Sequence, residues 1–215
     1  MALQGSTQYD ALAHTWYDDQ VWNGYDSSTT TGGLSKASVL PIAEHGVVGR
    51  GVLIDMARFR GKQCLDKGET FTHEDIIAAA REQGTDLQPR DILLIRTGWM
   101  GLWYHSTSEE FYRDFNEPGL TYSRELVEWF QDMEIPNLVT DTIANEVTYE
   151  PHTGVLLPLH AALMRNLGVL FTEMVWLEDL AQACVAADRW SFLYTAAPLK
   201  VVEGTGAPVN PIVIL

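Results

Sequence analysis

The sequence predicts an α/β layer fold, and three observations predict it. Apolar runs of strand length alternate with amphipathic stretches of helical length. Several of the apolar runs end in a polar or acidic residue, as strands do when they deliver side chains to a sheet edge. Thr72 and Ser123 cap two of the helical stretches, and Gly84, Pro136 and Gly168 end three of them.

Each element follows in order. The first 50 residues are rich in Gly, Ser, Thr and aromatic residues with no sustained period, which predicts loops and short strands. Within them, residues 27–38 read as a surface loop or lid. The glycine-rich run at 46–51 precedes a strand rather than following one, which is the wrong order for a phosphate cradle and predicts a turn. Residues 51–55 form a buried strand. Thr72 is an N-cap with Glu74 and Asp75 in the first turn, opening a helix that Gly84 stops. Residues 91–97 are a second strand. Ser123 caps a helix carrying Leu126, Val127, Trp129 and Phe130 and ended by Pro136. Residues 137–140 form a third strand that delivers Asp141. A helix over 158–166 carries His160, and Gly168 ends it; strand 169–172 then delivers Glu173. A helix over 177–187 and closing strands over 191–202 and 209–215 complete the pattern.

Composition bounds the function. A chain of 215 residues with 46% hydrophobic and 20% charged residues is ordinary globular material, read as one domain over 1–215. No apolar run approaches the roughly 20 residues of a membrane span, and the first residues lack the basic and apolar regions of a signal peptide. Fourteen Lys and Arg against 29 Asp and Glu give a net charge of −15, which argues against a grip on nucleic acid phosphates. Cys64 and Cys184 are far apart without metal-type spacing, so the expectation is a reduced, cytoplasmic protein without membrane or nucleic acid partners.

The G-x-S-x-G elbow of serine hydrolases and the phosphate loop of nucleotide hydrolases are both missing. The informative stretch is Gln4-Gly-Ser-Thr-Gln8-Tyr-Asp10-Ala-Leu-Ala-His14. In an extended strand, positions 4, 8, 10 and 14 share parity and project to one face. Such a face is either a solvated strand edge or a set of ligand and catalytic groups. His160 on an apolar helix reads as a core histidine or a ligand. Glu173 at the end of an apolar strand needs a partner or a cleft, because burying it alone is costly. Asp141 and Glu146 read as groups that hold a site or its loop in place, or as surface caps. His73 sits in a helix first turn, and His45, His105 and His152 read as exposed.

The 4–14 stretch resembles the signature of the cyclase family of metal-dependent hydrolases, H-x-G-T-H-x-D-x-P-x-H, which includes kynurenine formamidases and isatin hydrolases. Thr7, Asp10 and His14 match; Gln4 and Gln8 stand at the two histidines, Ser6 at the glycine and Leu12 at the proline. A subgroup with Q-x-x-x-Q-x-D-x-x-x-H, resembling trans-dienelactone hydrolase, has this pattern. Segments 49–55, 91–98, 159–173 and 204–211 also resemble family segments. The resemblance implies a swivelling β/β/α-like single domain with a mixed central sheet flanked by helices, apparently lacking the family's N-terminal segment. It implies a metal site of Gln4, Gln8, Asp10, His160 and Glu173, with His14 as the acid/base group. It further implies one or two ions, Zn²⁺ or, with amide oxygens hardening the site, Mn²⁺. The N-terminal aromatics Tyr9, Trp16, Tyr17 and Trp22 are the expected substrate wall. The implied reaction is hydrolysis of a small amide, lactone or ester carbonyl by metal-activated water. The alternative is a non-catalytic binding or assembly protein on the same fold. A missing N-terminal segment would bare a sheet edge, so a homo-oligomer is expected.

Overall fold

The structure, a computed structural model, describes residues 2–215. Its large sheet has eight strands: β1 (Gln8–Asp10), β2 (Val47–Asp55), β4 (Ile92–Arg96), β6 (Asn137–Thr140), β7 (Leu170–Glu173), β8 (Ser191–Ala196), β9 (Gly206–Pro208) and β10 (Ile212–Ile214). A small parallel pair joins β3 (Thr70–Phe71) to β5 (Gly119–Leu120). The large sheet is mixed, in the order β10-β8-β2-β4-β6-β7-β1-β9. The four middle strands run parallel, and the two on each flank are antiparallel to their neighbours.

Alternation along the middle strands creates two cores. Val52, Ile54, Leu93, Ile95, Leu138 and Phe171 face one side, while Leu53, Ile92, Leu94 and Val139 face the other. Strands buried on both faces read as unbroken apolar runs, which is why 51–55 and 91–97 stand out in the sequence. The helices are α1 (Val39–His45), α2 (Met56–Phe59), α3 (His73–Glu82), α4 (Trp99–Tyr104), α5 (Ser108–Tyr112), α6 (Arg124–Asp132) and α7 (Glu178–Ala187), with a π-helix at His160–Arg165. The crossovers through α3, α6 and the π-helix cover the first core, and α1 and α7 cover the second. Thr72 and Asp75 form a reciprocal capping box at α3, and the Ser123 hydroxyl accepts from the Leu126 N–H at 3.0 Å at α6.

The C-terminal ends of the parallel strands place Asp55, Arg96, Asp141 and Glu173 along one sheet edge, where α/β folds build their sites. Arg96 donates to Asp55 at 2.8 Å and to Glu178 at 2.7 Å, tying β2 and β4 to the start of α7.

Several expectations are corrected. The extended stretch over 4–14 is a strand only at Gln8–Asp10; a turn follows, in which the His14 N–H donates to the Ala11 carbonyl at 2.8 Å. Residues 46–51 are not a turn but enter β2, where Gly51 lies under Phe192 and an added Cβ would meet that ring at 2.5 Å. The 27–38 stretch contains a 3₁₀ turn at Ser27–Thr30 and is pinned by buried Leu34, whose N–H donates to Glu203, so it is not a free lid. The helix at Val39–His45 escapes the sequence reading because it is short and holds Pro41, which a first turn tolerates. Strand 191–202 stops at Ala196, two residues before Pro198, and a separate β9 pairs with β1.

Candidate metal centre

Strand register assembles the centre. Antiparallel pairing sets Gln8 of β1 opposite Glu173 of β7, and Asp10, two residues on, shares Gln8's face. Tyr9 between them points the other way. The π-helix brings His160 in from the first core, its ring edge-on to Phe171 at 4.9 Å between centroids. Such wide turns recur at functional sites. The turn after β1 returns His14 to the same place.

Gln8, Asp10, His160 and Glu173 are nearly or wholly buried, while the His14 side chain is 31% exposed and marks the open side. His160 Nε2 lies 3.9 Å from Asp10 Oδ2 and 3.6 Å from Glu173 Oε1, and His14 Nε2 lies 4.0 Å from the same Asp10 Oδ2. One atom each from Asp10, His14 and His160 falls within 4.8 Å of the others.

The two histidines are held in opposite ways. His160 Nδ1 donates to Glu146 Oε1 at 2.7 Å, and Glu146 also accepts the backbone N–H groups of Leu159 and His160. Fixed so, His160 aims Nε2 at the two carboxylates, the usual arrangement of a metal-binding histidine backed by a carboxylate. At His14 the Gln4 amide nitrogen donates to Nδ1 at 2.8 Å, which leaves the proton of the neutral ring on Nε2.

Electrostatics follow the burial. Desolvation and the Asp10 charge push the Glu173 carboxyl up to about 8. Burial opposes charging His160, but its bonds to Glu146 and Glu173 prevail and push it up to about 10. Burial lowers His14; Asp10 partly offsets this, and the neighbouring His160 lowers it further.

The donor set fits a divalent cation. Asp10 Oδ2 is buried with no hydrogen-bond partner, and the neutral His160 ring would present an Nε2 lone pair beside it. Separations of 3.6 to 3.9 Å suit ligands that each sit about 2.0–2.2 Å from one ion.

The structure thus brings Gln4, Gln8, Asp10, His14, His160 and Glu173 together. It corrects the expected manner of the glutamines: their amide nitrogens, not their oxygens, face the carboxylates, at 2.9 Å from Gln4 to Asp10 and 2.9 Å from Gln8 to Glu173. The aromatic wall is corrected more heavily. Tyr9 is fully buried on the opposite face, bonded to Tyr194 and Asn137. Tyr17 donates to Asn166 and lies under Arg165, and the Trp22 indole rests on Gly168, so both brace the end of the π-helix segment. Trp16 stands exposed near His14 in the chain.

Two residues were not foreseen. Asn145 is fully buried with φ 59° and donates Nδ2 to Glu173 Oε1 at 3.3 Å. Glu117, also fully buried, accepts the Ile143 N–H at 2.8 and 3.1 Å and so fixes the loop carrying Asn145 and Glu146. The only sequence signal was the polar segment 140–146, of which Asp141 and Glu146 were singled out. Asp141 accepts from the Thr97 and Gly98 N–H groups, and Glu146 from His160, which bears out the holding roles expected of them.

A cleft of about 980 Å³ opens elsewhere, at the ends of β2 and β4, among Asp55, Cys64, Arg96, Trp176 and Glu178. Its Arg96 is paired with both Asp55 and Glu178. Burial pushes the Cys64 thiol up to about 12 and that of Cys184 to about 11, so neither is a ready nucleophile.

No curated protein matches the chain. Among solved structures, one described as a novel cyclase superposes with a TM-score of 0.89 at 36% identity, covering 100% of this chain and 71% of that one. Isatin hydrolase A from Ralstonia solanacearum shares the fold with a TM-score of 0.66 at 21% identity, over 95% of this chain and 69% of that one. So does a protein described as a potential metal-dependent hydrolase with cyclase activity, with a TM-score of 0.58 at 18% identity, over 99% and 79%. The family model for cyclases matches residues 1–147, and with the 36% identical structure spanning the whole length, this chain belongs to the cyclase family.

Proposed function

We propose that the protein is a divalent-cation-dependent hydrolase of a small amide, lactone or ester carbonyl. The observation that carries this reading is the convergence of Asp10, His160 and Glu173 on one buried point, beside a partly exposed His14. Asp10 and Glu173 supply charge and His160 a nitrogen donor, a set that accommodates Zn²⁺ or Mn²⁺. A cation held there supplies Lewis acidity, lowering the pKa of water and polarising a carbonyl.

The chain's own residues do the rest. Glu146 keeps His160 in the tautomer and orientation a ligand needs. Desolvation keeps His14 neutral near pH 7, and Gln4 sets its proton on Nε2, facing the site. His14 is therefore placed to donate a hydrogen bond from Nε2 to the oxygen that gains charge as the carbonyl is attacked, as a neutral imidazole can. Burial of the other groups keeps bulk water from that side, so substrate meets the centre at His14, with Trp16 as the remaining aromatic candidate for its wall.

The test is a panel of small lactones, esters and amides assayed on metal-loaded protein with and without chelator, alongside bound-metal analysis. Hydrolysis that disappears with chelator and returns with Mn²⁺ or Zn²⁺ is the expected result. A well-folded protein that binds neither ion favours the non-catalytic binder.

A further inference from the structure

The hydrogen bonds at the centre can be assigned oxygen by oxygen. Asp10 Oδ1 accepts from the Gln4 amide at 2.9 Å and the Gln8 amide at 3.4 Å. Glu173 Oε2 accepts from Gln8 at 2.9 Å, and Glu173 Oε1 from Asn145 at 3.3 Å. Three side-chain amides thus turn their nitrogens on two carboxylates. The cost is visible: Gln8 Oε1 and Asn145 Oδ1 are buried acceptors with no donor. Turning either amide over would set its oxygen against a carboxylate oxygen, a repulsive contact. Of the four carboxylate oxygens only Asp10 Oδ2 takes no hydrogen bond, and the Nε2 atoms of both histidines surround it.

Asn145 has a setting that suits this task. Its left-handed backbone is one that Asn adopts far more readily than most side chains. It adjoins Glu146, so two consecutive side chains hold two different partners, Asn145 on Glu173 and Glu146 on His160.

We propose that Gln4, Gln8 and Asn145 form an amide clamp that fixes both carboxylates by N–H donation, leaving room for one divalent cation at Asp10 Oδ2, and that Asn145 is a positioning residue for Glu173. The inference rests on the cation reading above. It assigns Asn145 a role, and it predicts a single ion centred on the one carboxylate oxygen that takes no hydrogen bond, which Glu173 Oε1 reaches through the lone pair Asn145 leaves free.

The experiment is equilibrium dialysis of the full chain against Mn²⁺, with EPR of the bound ion, for wild type, Asn145→Asp and Asn145→Gly. Both replacements tolerate the left-handed backbone, and circular dichroism checks that they fold. Asp keeps the size but has no N–H to give; Gly removes the side chain. The expected result is one Mn²⁺ per chain in the wild type, about 10- to 100-fold weaker binding in each variant, and an altered EPR line shape as Glu173 shifts. Two ions per wild-type chain overturn the single-ion count. One ion in the wild type with unchanged affinity in both variants overturns the clamp alone. Tighter binding in Asn145→Asp also overturns it, because the side chain then acts through oxygen. No ion in the wild type overturns the cation reading and this inference with it.

Discussion

His14 and His160 lie with ring centroids 6.0 Å apart, yet their partners give them different work. Replacing His14 with Ala is expected to lower kcat by about 10²- to 10³-fold, the range for a lost donor to a developing charge, while bound metal stays near the wild-type level. Metal analysis beside the turnover assay checks this, and loss of the ion would make His14 a ligand. Replacing Glu146 with Ala frees the His160 ring and should weaken metal binding by about 10- to 100-fold, read by dialysis. Glu173 was legible in the sequence because an acid at the end of an apolar run demands an explanation, and Asp10 and His14 because they share parity with Gln4 and Gln8 in a stretch that resembles the family signature. Tyr9 was misread for a physical reason: both faces of β1 are buried, so alternation cannot say which face holds the site and which the core. Asn145 was missed because an uncharged amide in a loop carries no such demand, and only the folded backbone shows it reaching Glu173.

At the scale of elements, the longer helices were the readable ones: α3, α6 and α7 run over His73–Glu82, Arg124–Asp132 and Glu178–Ala187, whereas α5 has a capping box but only five residues. Thr72→Ala should destabilise the protein by about 1 kcal/mol through loss of the α3 cap, measured by chemical denaturation. The π-helix was foreseen as a helix but not as a wide turn, since the 3.6-residue period does not reveal one extra residue per turn. β9 was missed because three residues, Gly206–Pro208, have no pattern of their own and become a strand only by pairing with β1. The short β5 is a sharper case. Gly119 passes so close to the Glu146 backbone that an added Cβ would clash with its carbonyl carbon. Gly119→Ala should therefore shift Glu146 away from His160. A lower melting temperature together with weaker metal binding is expected, and a change in neither would separate that strand from the centre.

At the scale of the molecule, a sheet buried on both faces carries a row of acidic residues at its carboxyl edge, and burial sets their titration. Desolvation pushes Glu117 up to about 8 and Asp141 up to about 6. In both cases the folded pKa exceeds the unfolded value, so the contribution is full below the unfolded pKa and fades as pH rises through the folded one. Melting temperature of the metal-free protein should fall between about pH 5 and pH 8, and Glu117→Gln should flatten the upper part of that fall. The layered α/β architecture itself was readable from alternation and apolar runs, whereas the order of its strands depends on long-range pairing that no local pattern records. The account as a whole depends on the two ends of the chain sharing one cation. Bound Mn²⁺ or Zn²⁺ per chain, compared between wild type and Asp10→Asn with the fold verified by circular dichroism, tests it most directly. The account predicts one ion in the wild type and none retained in the variant; equal binding in both would contradict it.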